Sequence, residues 1–473
     1  MRNMTTSALK ENKMGTMPIG KLLLRMAFPM ALSMLVQALY NVVDSAFVAK
    51  LSDVDQNALN AVSLVFPVQN IMIGLAMGIG VGVNALLSRG LGQGDADTVR
   101  KSALNGVFLT AIAMLLTVAF GIFFAEPFMR SQTANETVIA YGVSYIRIIT
   151  IVSFGIFGET IFEKLLQSTG RTFYTFITQG TGAVINIILD PILIFGLWGM
   201  PRMEVAGAAV ATVIGQIVAC ILALLFNRFK NPEVSLRLRG FRPNFRMIGR
   251  ILAIGIPSTI MVAITSVTYY FFVRVLMRFE ALRVGLGEVG TAVYGAYSKL
   301  QSFIFMPVFG INNASLAIAA YNYGARKPAR IKKTVKCAAI GATALMLIGL
   351  LLFQCFPAVL LGFFNADAQM LSVGAPALRA LSLAFLFAGV CISFGGIFQA
   401  LGNSVFSMLV SISRQIIVLL PAAYLLSLSG SINAVWYAYP ISEIISVLAS
   451  AWFLSILYRK RIQPLYSPAE AEN

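Results

Sequence analysis

The sequence predicts an all-α integral membrane protein, with twelve transmembrane helices in two pseudo-symmetric six-helix lobes around a central cleft. Three observations predict this fold class: apolar stretches recur along the whole chain, basic residues fill alternate loops, and the two halves of the chain repeat each other. Of the 473 residues, 58% are hydrophobic and only 12% are charged, a balance far from that of a soluble domain. A globular fold would need a larger core than this length allows.

Twelve apolar stretches are each long enough to cross a hydrocarbon core of about 30 Å. The first of them is too long for the core of a signal peptide, so we expect it to be retained in the mature protein. The predicted spans are residues 22–48, 60–87, 102–125, 139–164, 173–197, 204–227, 248–278, 291–320, 335–363, 373–400, 406–429 and 433–457.

Basic residues set the predicted orientation of these spans. They cluster in the loops after spans two, four, six and eight and after the last span, whereas the alternate loops hold few cations. By the positive-inside rule both chain ends face the cytoplasm, and we expect a multi-pass protein of the cell (inner) membrane. Membrane orientation thus accounts for the net charge of +17, and we expect no nucleic-acid partner.

The two halves repeat each other at an offset near 230 residues. Ala27-Phe28-Pro29 recurs as Gly255-Ile256-Pro257, and Gln167-Ser168-Thr169-Gly170 recurs as Gln399-Ala400-Leu401-Gly402. A repeat of six spans keeps its orientation, which predicts an axis along the membrane normal, a cleft between the lobes and alternating access. The predicted segments are a cytoplasmic N-terminal segment 1–21, an N-lobe 22–227, a cytoplasmic linker 228–247, a C-lobe 248–457 and a cytoplasmic tail 458–473.

A polar stripe runs along span one. Gln37, Tyr40, Asn41 and Asp44 fall at i, i+3, i+4 and i+7 and therefore share one helical face. An ionisable group at membrane depth costs about 2.5–3.5 kcal/mol on insertion scales. A chain that keeps such a group usually uses it, so we interpret Asp44 as part of a cation site.

Span five carries a second stripe, in which Gln179, Asn186 and Asp190 lie on one face. Pro191 leaves a carbonyl in the preceding turn without its usual donor, and such an oxygen suits a hard cation. The alternative is that Asp190-Pro191 marks a helix end. The apolar run continues through Phe195, which favours a site inside the membrane.

Depth supports one shared site in the outer half of the N-lobe. Asp44 and Asp190 reach a similar depth, and Thr212 lies about 12 Å below the start of span six. Two carboxylates in a dry site must bind a cation, here Na⁺ at Asp44, Asn186 and Asp190, or one of them must hold a proton. The chain has no histidine, so proton chemistry falls to its carboxylates.

Other polar, aromatic and glycine residues at membrane depth have structural interpretations, some with a functional alternative. Arg414 and Glu443 are interpreted as a buried ion pair, with a second proton or substrate site as the alternative. Glu159 and Glu163 are expected to extend towards the cytoplasm, or to meet a cationic substrate there. Tyr439 is one of several C-lobe aromatics whose faces attract organic cations, although such residues more often pack in cores. Gly74, Gly78 and Gly82 form a ridge for helix packing.

No enzyme pattern is present. The sequence lacks a Gly-x4-Gly-Lys-Ser/Thr segment, a Gly-x-Ser-x-Gly segment, a metal-ligand helix and a dinucleotide fingerprint, that is, a Gly-x-Gly-x-x-Gly segment that follows a predicted strand. The four cysteines form no metal-ligand spacing and no disulfide framework. We therefore expect no enzymatic activity and no cofactor beyond a coupling ion.

The chain resembles the multidrug and toxic compound extrusion (MATE) family over essentially its whole length. The resemblance rests on Asn41-Val42-Val43-Asp44, Leu91-Gly92-Gln93-Gly94-Asp95, Gln167-Ser168-Thr169-Gly170 and Asn186-Ile187-Ile188-Leu189-Asp190-Pro191. It implies an antiporter, embedded in the lipid bilayer, that exchanges H⁺ or Na⁺ for hydrophobic, often cationic organic substrates.

The resemblance also implies an N-lobe cation site, which Asp44, Asn186, Asp190 and Thr212 match in this sequence. Some branches of the family place essential carboxylates in spans seven and ten. This sequence has none inside either span, so Glu443 is the remaining candidate for an ion site in the C-lobe.

Two other functions stay open at this point. A lipid-linked oligosaccharide flippase of related architecture would need a cluster of cationic side chains, whereas the clearest stripe here is acidic. A ligand-gated channel or membrane receptor would not need two repeated halves with paired aspartates. We expect a monomer, because nothing in the sequence demands more.

Overall fold

The structure, a computed structural model, describes residues 12–51, 57–237, 239–364 and 366–466. Within these residues every regular element is a helix and no strand occurs. Among the described residues ten helices are long and apolar enough to cross a membrane, and the number of spans is twelve when each of two bent helix pairs is taken as one span. The predicted all-α membrane fold is confirmed.

The spans of the first half are Ile19–Leu51, Asn57–Gln93, Ala96–Phe123, Glu136–Ile151 with Phe154–Ser168, Thr172–Phe195 and Glu204–Lys230. Those of the second half are Phe245–Met277, Leu286–Gly324, Pro328–Cys355, Ala368–Ser382 with Phe385–Ala400, Ser404–Ser427 and Ala438–Leu457. The short helices are Lys13–Thr16, Ala125–Gln132, Leu197–Gly199, Arg278–Ala281, Pro357–Gly362, Ile432–Val435, Tyr458–Ile462 and Gln463–Leu465.

Acidic and amide side chains start several of these helices. Asp95 accepts from the amides of Asp97 and Thr98 before span three, Asn135 caps span four, and Asp367 accepts from the amide of Met370 before span ten. Each cap satisfies a backbone donor that has no partner within the helix. The Thr98 hydroxyl bond is the main reason that the pKa of Asp95 lies below its ordinary value.

Spans four and ten bend at equivalent places in the repeat. The bend angles are 43° at Val152–Ser153 and 46° at Leu383–Ala384. A hydroxyl just before each break bonds the preceding turn: Thr150 donates to the carbonyl of Ile146, and Ser382 donates to the carbonyl of Arg379. Such bonds compete with the helical ladder and bend the helix.

The repeat extends to the turns that end these two spans. Gly170, with φ of 80°, donates to the carbonyl of Gln167, while the next amide donates to Leu166 at 2.8 Å. Gly402, with φ of 79°, donates to Gln399, and the following amide donates to Phe398 at 2.8 Å. Both are Schellman turns, which need a left-handed residue after the helix. The matching sequence motifs thus form matching structures.

The turns after spans two and eight show the same pattern with one difference in sequence. The left-handed position is Gly94 in the first half, with φ of 69°, but Arg326 in the second half, with φ of 53°. An arginine there suffers a clash between its Cβ and the backbone that glycine avoids.

We expect Arg326→Gly to stabilise the protein by about 0.5–1 kcal/mol, because relief of a strain of roughly 1–2 kcal/mol exceeds glycine's extra unfolded-state entropy. The midpoint of thermal unfolding in detergent is the measurement, and it should rise. Gly94→Ala is the matched control: an added Cβ meets nothing within 4 Å, yet the positive φ should lower the midpoint. A lower midpoint for Arg326→Gly would mean that the arginine side chain contributes more than the strain costs.

Two compact units make up the chain. One comprises residues 1–17 and 32–259, and the other comprises residues 18–31 and 260–473. The boundaries fall inside spans one and seven, two residues after Pro29 and two residues after Pro257. A proline inside a helix removes one ladder bond and favours a kink, which lets each half of such a helix pack separately.

Close contacts explain why the beginnings of spans one and seven belong to these units. In the first unit the Thr259 hydroxyl donates to the carbonyl of Gly74 at 3.0 Å, and a Cβ on Gly82 would lie 2.4 Å from the carbonyl oxygen of Ile251. In the second unit a Cβ on Gly310 would lie 2.6 Å from the amide nitrogen of Ala31. The predicted lobes of six consecutive spans therefore do not coincide with the compact units.

Candidate functional site

Glycines bring spans five and six of the first unit together at two levels. A Cβ on Gly215 would lie 2.6 Å from the carbonyl oxygen of Gly182, and a Cβ on Gly207 would lie 2.6 Å from the backbone of Leu193. Small residues allow such close backbone contact between membrane helices. The polar residues of the two spans lie between these contacts along the helices.

Asn186, Asp190 and Thr212 form a hydrogen-bonded group between the two spans. The Asn186 amide donates to a carboxylate oxygen of Asp190 at 3.3 Å and to the hydroxyl oxygen of Thr212 at 3.3 Å. Asp190 is fully buried, and the other two are no more than 6% exposed. Three residues that the sequence pattern proposed for one site are therefore in one site, and they include a buried carboxylate.

The alternative of a helix end at Asp190-Pro191 is excluded. The helix Thr172–Phe195 continues through Pro191 and ends only at Gly196, which has a left-handed φ of 74°. Asp190 thus belongs to the interior of a span, where the missing proline donor does not stop the helix.

The polar stripe of span one is described only in part. Gln37 and Tyr40 are half-buried on the helix Ile19–Leu51. The side chains of Asn41 and Asp44 lie outside the described part of the structure. The pairing of Asp44 with Asp190 stays a prediction.

The ligand set of this site suits a proton or a hard cation. It offers the carboxylate of Asp190, the hydroxyl of Thr212 and the amide of Asn186, whose Oδ1 accepts no hydrogen bond from the residues that the structure describes. Oxygen ligands of this kind match Na⁺. Across the described ranges, no group of three His, Cys, Asp or Glu residues is placed to hold a metal ion, so a transition-metal site is not indicated.

Gln179 takes part in a different group, because its amide donates to Glu163 Oε2 at 2.8 Å. The Thr178 hydroxyl donates to the other oxygen of that carboxylate. Glu163 is only 3% exposed, so the expectation that it extends towards the cytoplasm is wrong. Gln179 shares a face with Asp190 but is eleven residues, or roughly 16 Å, away along the helix axis.

We expect Thr178→Val to destabilise the protein by about 1.5–3 kcal/mol, because it removes a donor from a buried carboxylate. Thr175→Val is the matched control three residues away: Thr175 is equally buried, and its hydroxyl has no hydrogen-bond partner in the described part of the chain. Thermal unfolding in detergent should show a clear loss for the first variant and none for the second. Equal midpoints would show that Thr178 does not support Glu163.

The second unit contains the predicted pair of Arg414 and Glu443. Arg414 Nη1 donates to Glu443 Oε1 at 3.0 Å, so the two residues do form an ion pair. Arg414 lies in a π-helical segment, Ser413–Leu419, that precedes Pro421 in span eleven. Proline in a helix removes a donor and crowds the preceding turn, and a widened turn accommodates both.

The fold and the buried polar groups are those of a helical multi-pass membrane protein with polar sites inside its spans. The MatE family model matches residues 29–192 and 257–425, which is more than half of the chain. The chain therefore belongs to the MATE family of multi-pass membrane transporters.

Similar proteins agree with this assignment, and the similarity extends over nearly the full length of this chain and of each relative. The FAD transporter of Shewanella oneidensis is 27% identical over 443 residues, covering 91% of this chain and 93% of that protein. The multidrug export protein MepA of Staphylococcus aureus is 25% identical over 460 residues, covering 94% and 95% respectively.

Solved structures show the same fold. A multidrug resistance MATE family transporter in an outward-facing conformation matches with a TM-score of 0.88 and 24% identity, covering 97% of this chain and 99% of that one. A MOP superfamily transporter from Pyrococcus furiosus matches with a TM-score of 0.87 at the same identity and coverage. At this identity the likeness concerns the fold alone.

Proposed function

We propose that the protein is a multidrug efflux antiporter that exports hydrophobic, often cationic compounds in exchange for H⁺ or Na⁺. The observation that carries this proposal is the buried group of Asp190, Asn186 and Thr212 in the first unit. A fully buried carboxylate is costly when bare, and it is stabilised by a proton or a cation. Such a group is therefore suited to sense the coupling ion.

In the proposed cycle the substrate enters from the cytoplasm or the inner leaflet, and the protein then opens to the outside. H⁺ or Na⁺ binds at Asp190, with Asp44 as its predicted partner, and substrate affinity falls. Ion release to the cytoplasm resets the transporter. Exchange requires the ion-loaded state to bind the substrate more weakly, and because coupling is reciprocal the bound substrate lowers the ion affinity by the same factor. No cofactor other than the coupling ion takes part.

Purified protein in proteoliposomes tests the proposal directly. Ethidium movement is followed under an imposed Na⁺ gradient and, separately, under an imposed H⁺ gradient, for wild type beside Asp44→Asn. Transport that follows one gradient and disappears in the variant supports antiport and identifies the ion. Equal transport in the variant removes Asp44 from the coupling site. No ethidium movement under either gradient contradicts the proposed substrate class.

FAD is the second candidate cargo, because a named FAD transporter is 27% identical over 91% of this chain. The same vesicles loaded with FAD distinguish the two: gradient-dependent FAD release without ethidium movement would favour the dinucleotide. We also propose that the protein lies in the cell (inner) membrane with both termini in the cytoplasm, as the distribution of basic loops predicts. We propose that it works as a monomer.

A further inference from the structure

Glu443 is a buried carboxylate of the second unit that has one charged hydrogen-bond donor, Arg414. Its side chain is 7% exposed, and Oε1 accepts from Arg414 at 3.0 Å. Oε2 is buried and accepts no hydrogen bond of regular geometry from the residues that the structure describes, and the other group beside the carboxylate is the thiol of Cys391, a weak donor. A buried ion pair that only stabilised the fold would need its remaining lone pairs satisfied to offset the loss of water. In this pair the second oxygen has a weak thiol donor at most.

Arg414 reaches Glu443 from an irregular part of span eleven. Its side chain is 22% exposed, three times the exposure of its partner. It lies in the π-helical segment Ser413–Leu419, and π-helical turns occur mostly as single-turn insertions in α-helices, frequently at functional sites. Pro421 follows this segment and accounts for its widened turn. The arginine is thus held by an irregular turn and not by a regular α-helical ladder.

An aromatic wall, made of the buried rings of Tyr294 and Tyr297 and the half-buried ring of Tyr439, lies beside the carboxylate. Tyr439 is one helical turn before Glu443, and its hydroxyl is hydrogen-bonded to that of Tyr294. The ring of Tyr439 lies 6.0 Å from that of Tyr297 and 5.3 Å from that of Phe272, both edge to face. Aromatic rings near a carboxylate attract organic cations as well as inorganic ones.

We propose that Glu443 and the aromatic wall of Tyr439, Tyr297 and Tyr294 form a binding site for an organic monocation, and that the guanidinium of Arg414 occupies this site in the absence of the ligand. The chain's own cation satisfies the carboxylate when no substrate is bound, which avoids a bare buried charge. A substrate cation displaces it by movement of the arginine side chain, which is the more exposed member of the pair. This site would be the substrate subsite of the proposed efflux function. Its physiological role rests on that proposed function, whereas the binding of the cation does not.

Equilibrium binding of tetraphenylphosphonium to the purified protein in detergent tests the site without any ion gradient. Glu443→Gln should weaken binding about tenfold or more, and Arg414→Gln should tighten it about tenfold, because the internal competitor is gone. Triphenylphosphine oxide, an uncharged analogue, should respond to neither change. Glu288→Gln, an exposed carboxylate of the same unit, is the control and should leave the affinity unchanged.

Glu443→Gln alone leaves an unpaired guanidinium and risks misfolding, so the double variant Arg414→Gln with Glu443→Gln is measured as well. We expect it to fold, as judged by thermal unfolding, and to bind tetraphenylphosphonium as weakly as Glu443→Gln. Weaker binding by Arg414→Gln, or unchanged affinity in the folded double variant, would overturn the proposal and leave a structural ion pair.

The binding and transport experiments together distinguish failure of the Glu443 site from failure of the proposed antiport function. Gradient-driven transport that depends on Asp190 while the folded double variant binds normally would overturn the Glu443 site alone. Binding that depends on Glu443 in a protein without gradient-driven transport would support the site and contradict antiport.

Discussion

Replacement of Asp190 by asparagine is expected to reduce gradient-driven export by about 100-fold, the upper range of a typical coupling free energy. Asparagine has nearly the same shape as aspartate, and its oxygen still accepts the bond from the Asn186 amide. It carries no titratable proton and no charge for a cation, so the ion can no longer change the substrate affinity. The measurement is ethidium movement in proteoliposomes under the gradient that drives the wild type.

Two comparisons sharpen this result. Asp97→Asn removes an exposed carboxylate, 68% accessible in its side chain, and should transport like the wild type. Thermal unfolding of Asp190→Asn should match or exceed that of the wild type, because a buried charge has been removed. Wild-type coupling in Asp190→Asn would exclude Asp190 as a binder of the coupling ion.

Gly207→Ala is expected to have the second large effect, on folding and on transport together. The new Cβ would lie 2.6 Å from both the carbonyl carbon and the oxygen of Leu193, and these backbone atoms cannot move away without moving the helix. Overpacking of this kind costs typically about 1–3 kcal/mol, and here it also separates Thr212 from Asn186 and Asp190. Thermal unfolding in detergent and ethidium transport should both decline.

Gly180→Ala provides the matched control in span five. An added Cβ there meets nothing within 4 Å, and alanine favours a helix over glycine by about 1 kcal/mol. We therefore expect opposite signs for the two glycine-to-alanine changes. An unchanged unfolding midpoint for Gly207→Ala would show that spans five and six tolerate a wider separation than the structure has.

The candidate site shows what periodicity can predict. Asn186 and Asp190 are one helical turn apart, so their shared face follows from local geometry alone. Thr212 needed an argument about depth, since it comes from the next span. Gln179 shows the limit of that reasoning. It lies on the same helix face as Asp190 but at another depth, and its amide therefore bonds Glu163 instead. A helical pattern predicts which side of the helix a residue faces, whereas the residues that it contacts also depend on its position along the helix axis.

The sequence by itself determined the twelve spans, the repeat and the membrane class, because hydropathy and loop charge act locally along the chain. It also indicated that Arg414 and Glu443 pair, since two opposite charges inside apolar runs have few other partners. Only the tertiary structure decided that the beginnings of spans one and seven pack in different units from their ends, that glycines join spans five and six, and that a π-helical turn presents Arg414 to Glu443. These features depend on contacts between residues far apart in sequence, which local patterns do not encode.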